Sequence, residues 1–485
     1  MRRSAFAGYV VGHILNDLTA SVWFTYTIVF FTLAIRMKPY LTGILIFVGQ
    51  LSDAVATPVV GFLIDQSLNS PEMEMDSWRY RFTSLWPLAR KGYHLGGVVL
   101  VTISFPFLFF PIHTDNFCYL AFTFYTLWAI IFQIGWATIQ ISHLAMINDL
   151  TDDAGERTLL TSIRYFFNVL SNLTVFLGFY IAFQRSESEF GAEDASTFWH
   201  LCLVLVTIGL VCAIIFHALV RDSDFKRDFS DVPSETTSLL GESRREPAVT
   251  NEYSAYAFIG PVDDWKAWLR VPDFWLMAGL YMMTRLIVNI SQSYISSYLV
   301  DWLHMTKINI ALVPLTIYLS SIIASLMQRP ISHKVSREVN CAIGVVFTAV
   351  FCVLARFAGC PAMKSMVYSA AAMLGIGCTT LLVTNLSMIS DLIGPYKHTS
   401  AFVFGAMSFC DKISNGITIQ IVQVLDMKGG QLYQGVEVYG VATFCIGFIL
   451  FLLIRFGLTH LRKRTHQTHL LTEFDPDTPS ESLAV

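Results

Sequence analysis

The chain has 485 residues, 54% of them hydrophobic and only 14% charged, with a formal net charge of −4. Soluble domains carry roughly 25% charged residues, so there is too little charge here to cover a soluble protein of this length. Lys and Arg are not gathered into any patch that nucleic acid would need, and no phosphate-binding loop, metal-binding His/Cys spacing or catalytic constellation points to an enzyme, a cofactor or a resident metal.

Apolar stretches near the ~20 residues that a membrane helix needs fall at 5–35, 41–66, 93–113, 117–148, 158–184, 198–220, 273–303, 307–332, 339–359, 365–392, 398–425 and 435–459. Twelve spans predict an all-α membrane protein. The first follows Arg2 and Arg3 and lacks the small-residue cleavage site of a secretory signal, so it is expected to be retained. Short loops on the side of the two termini hold thirteen Lys and Arg and those on the other side six, which predicts cytosolic termini.

In span one, His13, Asn16, Asp17, Ala20 and Phe24 recur at helical spacing and put the polar groups on one face. Span two carries Asp53, span four Gln133, Gln140 and His143, and span five Arg164 and Asn168. Residues 221–272 are polar and rich in Ser, Glu, Asp and Arg, a composition that cannot bury a core. They predict a disordered cytosolic linker, ending in an interfacial helix around Trp265 to Arg270. Within the linker, Glu235 followed after three residues by Leu239 and Leu240 fits the acidic dileucine pattern that clathrin adaptors read.

In the second half, Arg285, Asn289, Gln292 and Ser296 share one face of span seven, span ten carries Asn385, and span eleven carries Asp411, Lys412 and Asn415. At 1.5 Å per residue, Asp17, Asp53, Arg285 and Lys412 each lie roughly 18 to 21 Å into their spans, near the bilayer centre. An ionisable group at that depth costs several kcal/mol unless it is paired or faces a polar cavity, so these residues, with His13, Asn16, Gln140, His143, Arg164, Asn289, Gln292, Asn385, Asp411 and Asn415, form the expected pathway. Gln133, Asn168 and Asn289 fit interhelical hydrogen bonds equally well.

A faint repeat divides the chain. His143-Leu-Ala-Met-Ile-Asn-Asp149-Leu150 matches Asn385-Leu-Ser-Met-Ile-Ser-Asp391-Leu392 at five of eight positions, and Leu170-Ser-Asn172 matches Ile413-Ser-Asn415 in nearly the same register. Two pseudo-symmetric six-helix bundles, 1–220 and 273–459, with a cytosolic tail over 460–485, place the binding site near the midplane between them. The nine cysteines argue against a disulfide framework: seven lie in or near apolar spans, where they act as small hydrophobes, and only Cys118 and Cys360 approach the lumenal side. Sequons at Asn172, Asn289 and Asn385 fall inside spans and are not expected to be glycosylated.

The stretch Gly49-Gln-Leu-Ser-Asp53-Ala-Val-Ala-Thr57-Pro58-Val-Val-Gly61-Phe-Leu-Ile-Asp65, with Arg90-Lys91-Gly92 beyond it, resembles the glycoside-pentoside-hexuronide:cation symporters, a branch of the major facilitator superfamily. That resemblance implies the major facilitator fold and proton or other cation coupling. In the sodium-coupled sugar permeases of the branch, span two carries two aspartates four residues apart and span eleven a lysine. Asp53 and Lys412 match, but Thr57 stands at the second aspartate, and Gln140 stands where those permeases carry an acidic sugar-binding residue.

The segments Gly12 to Tyr26, Gln133 to Leu144, Leu280 to Tyr294 and Met407 to Lys412 resemble more specifically a narrower family of the superfamily, associated with cysteine import into lysosomes and melanosomes. It implies cysteine as the small-molecule substrate, those membranes and their lipid as the surroundings, and alternating access as the mechanism. A cation-coupled symporter of a sugar or other organic solute, and a lysolipid transporter, are the alternatives.

Overall fold

The computed structural model describes residues 2–68, 89–112, 119–150, 154–184, 190–221, 265–332, 334–359, 363–393, 400–425 and 431–473. The described residues contain helices and no strands. Lipid offers no partner for backbone N–H and C=O groups, so each spanning segment must satisfy them internally.

Spans one to six are Arg3–Ala34, Pro39–Leu68, Ala89–Leu108, Tyr119–Leu150, Ala154–Phe183 and Ala195–Leu219. Spans seven to eleven are Pro272–Trp302, Lys307–Ser332, Arg337–Ala358, Met366–Ile393 and Ser400–Leu425, and span twelve runs from Gln431 into the long helix Val441–Glu473. Ten of these segments are long and apolar enough to cross a membrane by composition alone. Spans three and eleven are diluted by Arg90, Lys91 and His94 and by Asp411, Lys412 and Asn415. Observed ends fall within five residues of those expected, except that the helix of span twelve continues to Glu473, past the expected end at 459. Of the central linker, the described stretch before span seven begins with the single helical turn Trp265–Trp268, whose Trp268 is buried.

The two halves repeat each other in detail. Span one ends in a π-helical turn, Phe30–Ala34, followed by Arg36 in the left-handed region at φ 57°. Span seven ends in the π-helical turn Tyr298–Trp302, followed by His304 at φ 48°, each feature 268 residues after its counterpart. Small residues let paired helices approach closely. A carbon added at Gly97 on span three would lie 2.9 Å from the Gly135 carbonyl on span four, and one added at Gly377 on span ten 3.0 Å from the Gly344 carbonyl on span nine.

Hydrogen bonds and ion pairs between the halves gather at the midplane and toward the face opposite the two termini. Lys307 and Asp194, both buried, pair at 2.7 Å. Ser296 donates to the Thr25 carbonyl at 3.2 Å, and Tyr26 donates to the Ile310 carbonyl at 3.4 Å. Toward the terminal face, Arg2 donates to the Leu219 carbonyl and Lys91 to that of Val220, contacts that stay inside the first half. Among the described residues, the bonded contacts between the halves thus lie at the midplane and on the face opposite the termini.

The glycine contacts set an expected outcome. Gly97→Leu and Gly344→Leu should each lower the yield and melting temperature of the purified protein, because no room exists for the new side chain. Gly405→Leu, where nothing lies within 4 Å of the added carbon, should leave both near the wild-type values.

Candidate functional site at the midplane

Asp53 and Thr57 stand one helical turn apart on span two and so share a face. Opposite them, Lys412 of span eleven reaches across from the other half. Its Nζ lies 2.7 Å from Asp53 Oδ1 and donates to Thr57 Oγ1 at 2.8 Å, while the Thr57 hydroxyl donates to Asp53 Oδ1 at 3.1 Å. The Trp136 ring lies 5.7 Å from the ammonium and adds a cation–π contact. Asp53 is 2% exposed and Lys412 9%, so each charge depends on the other for compensation.

A second cluster stands on a broken helix. Span one is interrupted at Gly12 and His13, and helix resumes at Ile14. This break turns the His13 ring toward span five, where an Arg164 terminal nitrogen lies 2.8 Å from Nε2. A guanidinium can only donate, so Nε2 accepts and Nδ1 carries the proton that is donated to Asp17 Oδ1 at 2.9 Å. Asn168 donates to the same oxygen at 2.8 Å, while the other oxygen, Oδ2, is buried without a partner among the described residues.

The third cluster is its counterpart in the second half. Arg285 Nε donates to Asp411 Oδ2 at 2.8 Å, and Asn289 donates to Oδ1 at 3.0 Å. Arg285 follows Asp17 by 268 residues and Asp411 follows Asn168 by 243, so one bonded pair of positions occurs twice with the acidic member exchanged between the helices.

The three clusters open on one cavity of about 510 Å³ between the halves. Of the residues singled out from the sequence, His13, Asp17, Asp53, Gln140, Arg164, Arg285, Asn289, Gln292, Asp411 and Lys412 line it. Asn16, His143, Asn385 and Asn415 do not. Asn16 sits behind His13, its amide 3.2 Å from Nε2. His143 stacks on Tyr9 with centroids 4.1 Å apart and donates to the Tyr9 carbonyl at 2.9 Å, which makes it a seam between spans one and four. Asn385 donates to Thr284 at 2.7 Å and joins spans ten and seven in the same way. Asn415 is buried outside the cavity wall. Glu235, Leu239 and Leu240 lie outside the described residues.

Several contributors escaped sequence reasoning. Gln50 and Tyr318 line the cavity, yet a lone Gln or Tyr in an apolar span carries little energetic signal. Asp194 and Lys307 sit near span ends, where a charge at the interface calls for no explanation, and only the fold brings them together. Glu437, fully buried in span twelve with neither carboxyl oxygen bonded among the described residues, lies away from the cavity.

Over 433 residues the chain is 35% identical to major facilitator superfamily domain-containing protein 12 of Homo sapiens, covering 86% of this chain and 84% of that protein. The chain belongs to that family. Residues 8–247 also match the family described as MFS/sugar transport protein. Among solved structures it is similar to the nucleoside transporter NupG, with a TM-score of 0.62 at 8% identity over 93% of this chain and 99% of that one. A D-xylose-proton symporter gives a TM-score of 0.61 at 12% identity over 93% and 95%. At such identities the likeness concerns the fold, which is that of the major facilitator superfamily. The protein is a membrane transporter of this superfamily.

Breaking a buried ion pair strands the remaining charge, at a cost of about 3–5 kcal/mol. Lys412→Met should therefore lower thermal stability more than the loss of its side-chain packing accounts for, and adding Asp53→Asn should recover part of that loss. Melting temperatures of the wild type, both single variants and the double variant check this; strictly additive losses would mean that the pair is not coupled.

Proposed function

We propose that this protein moves cysteine from the cytosol into the lumen of lysosomes or melanosome-like organelles by alternating access. The carrying observation is the charge balance of the cavity wall. Three acids, Asp17, Asp53 and Asp411, and three bases, Arg164, Arg285 and Lys412, line one space between the halves. A wall of this kind has no net preference for an anion or a cation and suits a small solute that carries both charges, as an amino acid does at neutral pH. The family resemblance supplies cysteine among amino acids and supplies the organelle.

The sodium-driven sugar reading receives less support. Thr57 takes the place of the second span-two carboxylate, and the Lys412 ammonium already neutralises Asp53, so no spare negative charge remains in that cluster for an exchangeable cation. Gln140 on the wall likewise offers a carboxamide where the sugar permeases carry a carboxylate. A proton remains compatible with the many carboxylates and His13. The terminal face, rich in Lys and Arg, is placed in the cytosol, so that the opposite face and its Asp194 and Lys307 pair look toward the lumen. The dileucine pattern at Glu235, Leu239 and Leu240 would bring a clathrin adaptor to the linker.

Purified protein in liposomes should take up radiolabelled cysteine, with flux altered by a pH gradient if protons are coupled; flux of a sugar or lysolipid in its place overturns the reading. In cells, Leu239→Ala with Leu240→Ala should move the protein from lysosome-related membranes to the cell surface. Unchanged lysosomal staining of that variant removes the sorting motif.

A further inference from the structure

Two groups of opposite sign on the cavity wall keep bonding capacity that the protein does not use. Asp17 is 4% exposed and lines the cavity. Its Oδ1 takes both donors, from His13 and Asn168, and its buried Oδ2 takes none among the described residues. Leaving a buried carboxylate oxygen without a donor is unfavourable, so the Asp17 carboxylate has capacity for one more donor. Arg285 is the reverse case. It spends Nε on Asp411, its side chain is 28% exposed at the cavity, and no described bond engages either terminal amine. Guanidinium presents its donors as a planar fork that matches a carboxylate. The remaining base across the halves, Lys412, is already charge-paired with Asp53 and donates to Thr57.

From this asymmetry we propose that Arg285 holds the α-carboxylate of an amino-acid substrate and Asp17 its α-ammonium. The two anchors occupy equivalent positions of the two halves, so the bound zwitterion is itself a bridge between them. A solute lacking either charge engages one half alone. Arg164 offers a rival carboxylate anchor, but it is tied to Asp17 through His13, and a ligand held by that pair would stay within one half. The assignment rests on the amino-acid reading above and sharpens it.

The test compares three competitors of cysteine uptake by the full chain in liposomes: unlabelled cysteine, cysteamine, which lacks the carboxylate, and 3-mercaptopropionate, which lacks the ammonium. Wild type should prefer cysteine over both. Arg285→Lys keeps a cation for Asp411 and loses the fork, so the preference for cysteine over cysteamine should fall at least about tenfold, the scale of a lost charged hydrogen bond. Asp17→Asn should reduce the preference over 3-mercaptopropionate to a similar extent and leave that over cysteamine in place. Where a variant folds but does not transport, the same ratios are read from ligand-induced melting-temperature shifts of the purified protein. Unchanged ratios in both variants overturn the assignment, as does loss of the cysteamine discrimination in Arg164→Lys with its retention in Arg285→Lys. Absence of cysteine flux and of cysteine binding in the wild type overturns the functional reading itself, a result distinct from cysteine transport with unaltered discrimination.

Discussion

The ammonium of Lys412 between Asp53 and Thr57 is the contact on which the arrangement of the two halves depends. In hydrocarbon a lone charge is costly, and among the described residues the nearest charge-compensating partner of each is the other, across the interface at 2.7 Å. Bringing the two halves together at this depth lowers the energy of both. The hydroxyl of Thr57 adds a neutral second acceptor, which keeps the cluster near zero net charge where a second carboxylate would leave it negative and in need of a further cation. The threonine thus sets the charge of the midplane cluster without altering the helix that carries it.

Around that contact the duplicated architecture has diverged in charge more than in shape. The helix end of span one recurs in span seven, the glycine contact of spans three and four in spans nine and ten, and the bonded positions of spans one and five in spans seven and eleven. What differs is the side on which the acid stands. With Asp17 facing Asn168 in one half and Arg285 facing Asp411 in the other, a symmetric scaffold encloses an electrically asymmetric space. That asymmetry would give the amino-acid substrate proposed above one preferred orientation, which a strictly repeated pair of clusters could not do.

The sequence disclosed those features whose energetic cost is large enough to need an explanation. Asp53, Lys412, Arg285 and Asp17 were legible because charges deep in apolar spans demand partners or a cavity, and the twelve spans followed from length and composition. Which polar group faces the cavity and which joins two helices was not legible, because helical spacing fixes a common face and leaves open what that face meets. His143 and Asn385 show this: both mark the internal repeat, and both are seams within a half. Asp194 and Lys307 were silent for a different reason, since charges near a span end meet water in most membrane proteins and become informative only when the fold buries them together.

The glycine seams between spans three and four and between spans nine and ten have a volumetric consequence. Where backbones meet with no space for one added carbon, little free volume is left to compress, in contrast to the central cavity of about 510 Å³. In the alternating-access cycle proposed above, seams packed this tightly would move as units. Hydrostatic pressure, which favours whichever state eliminates void, should then act on the cavity before it acts on these seams.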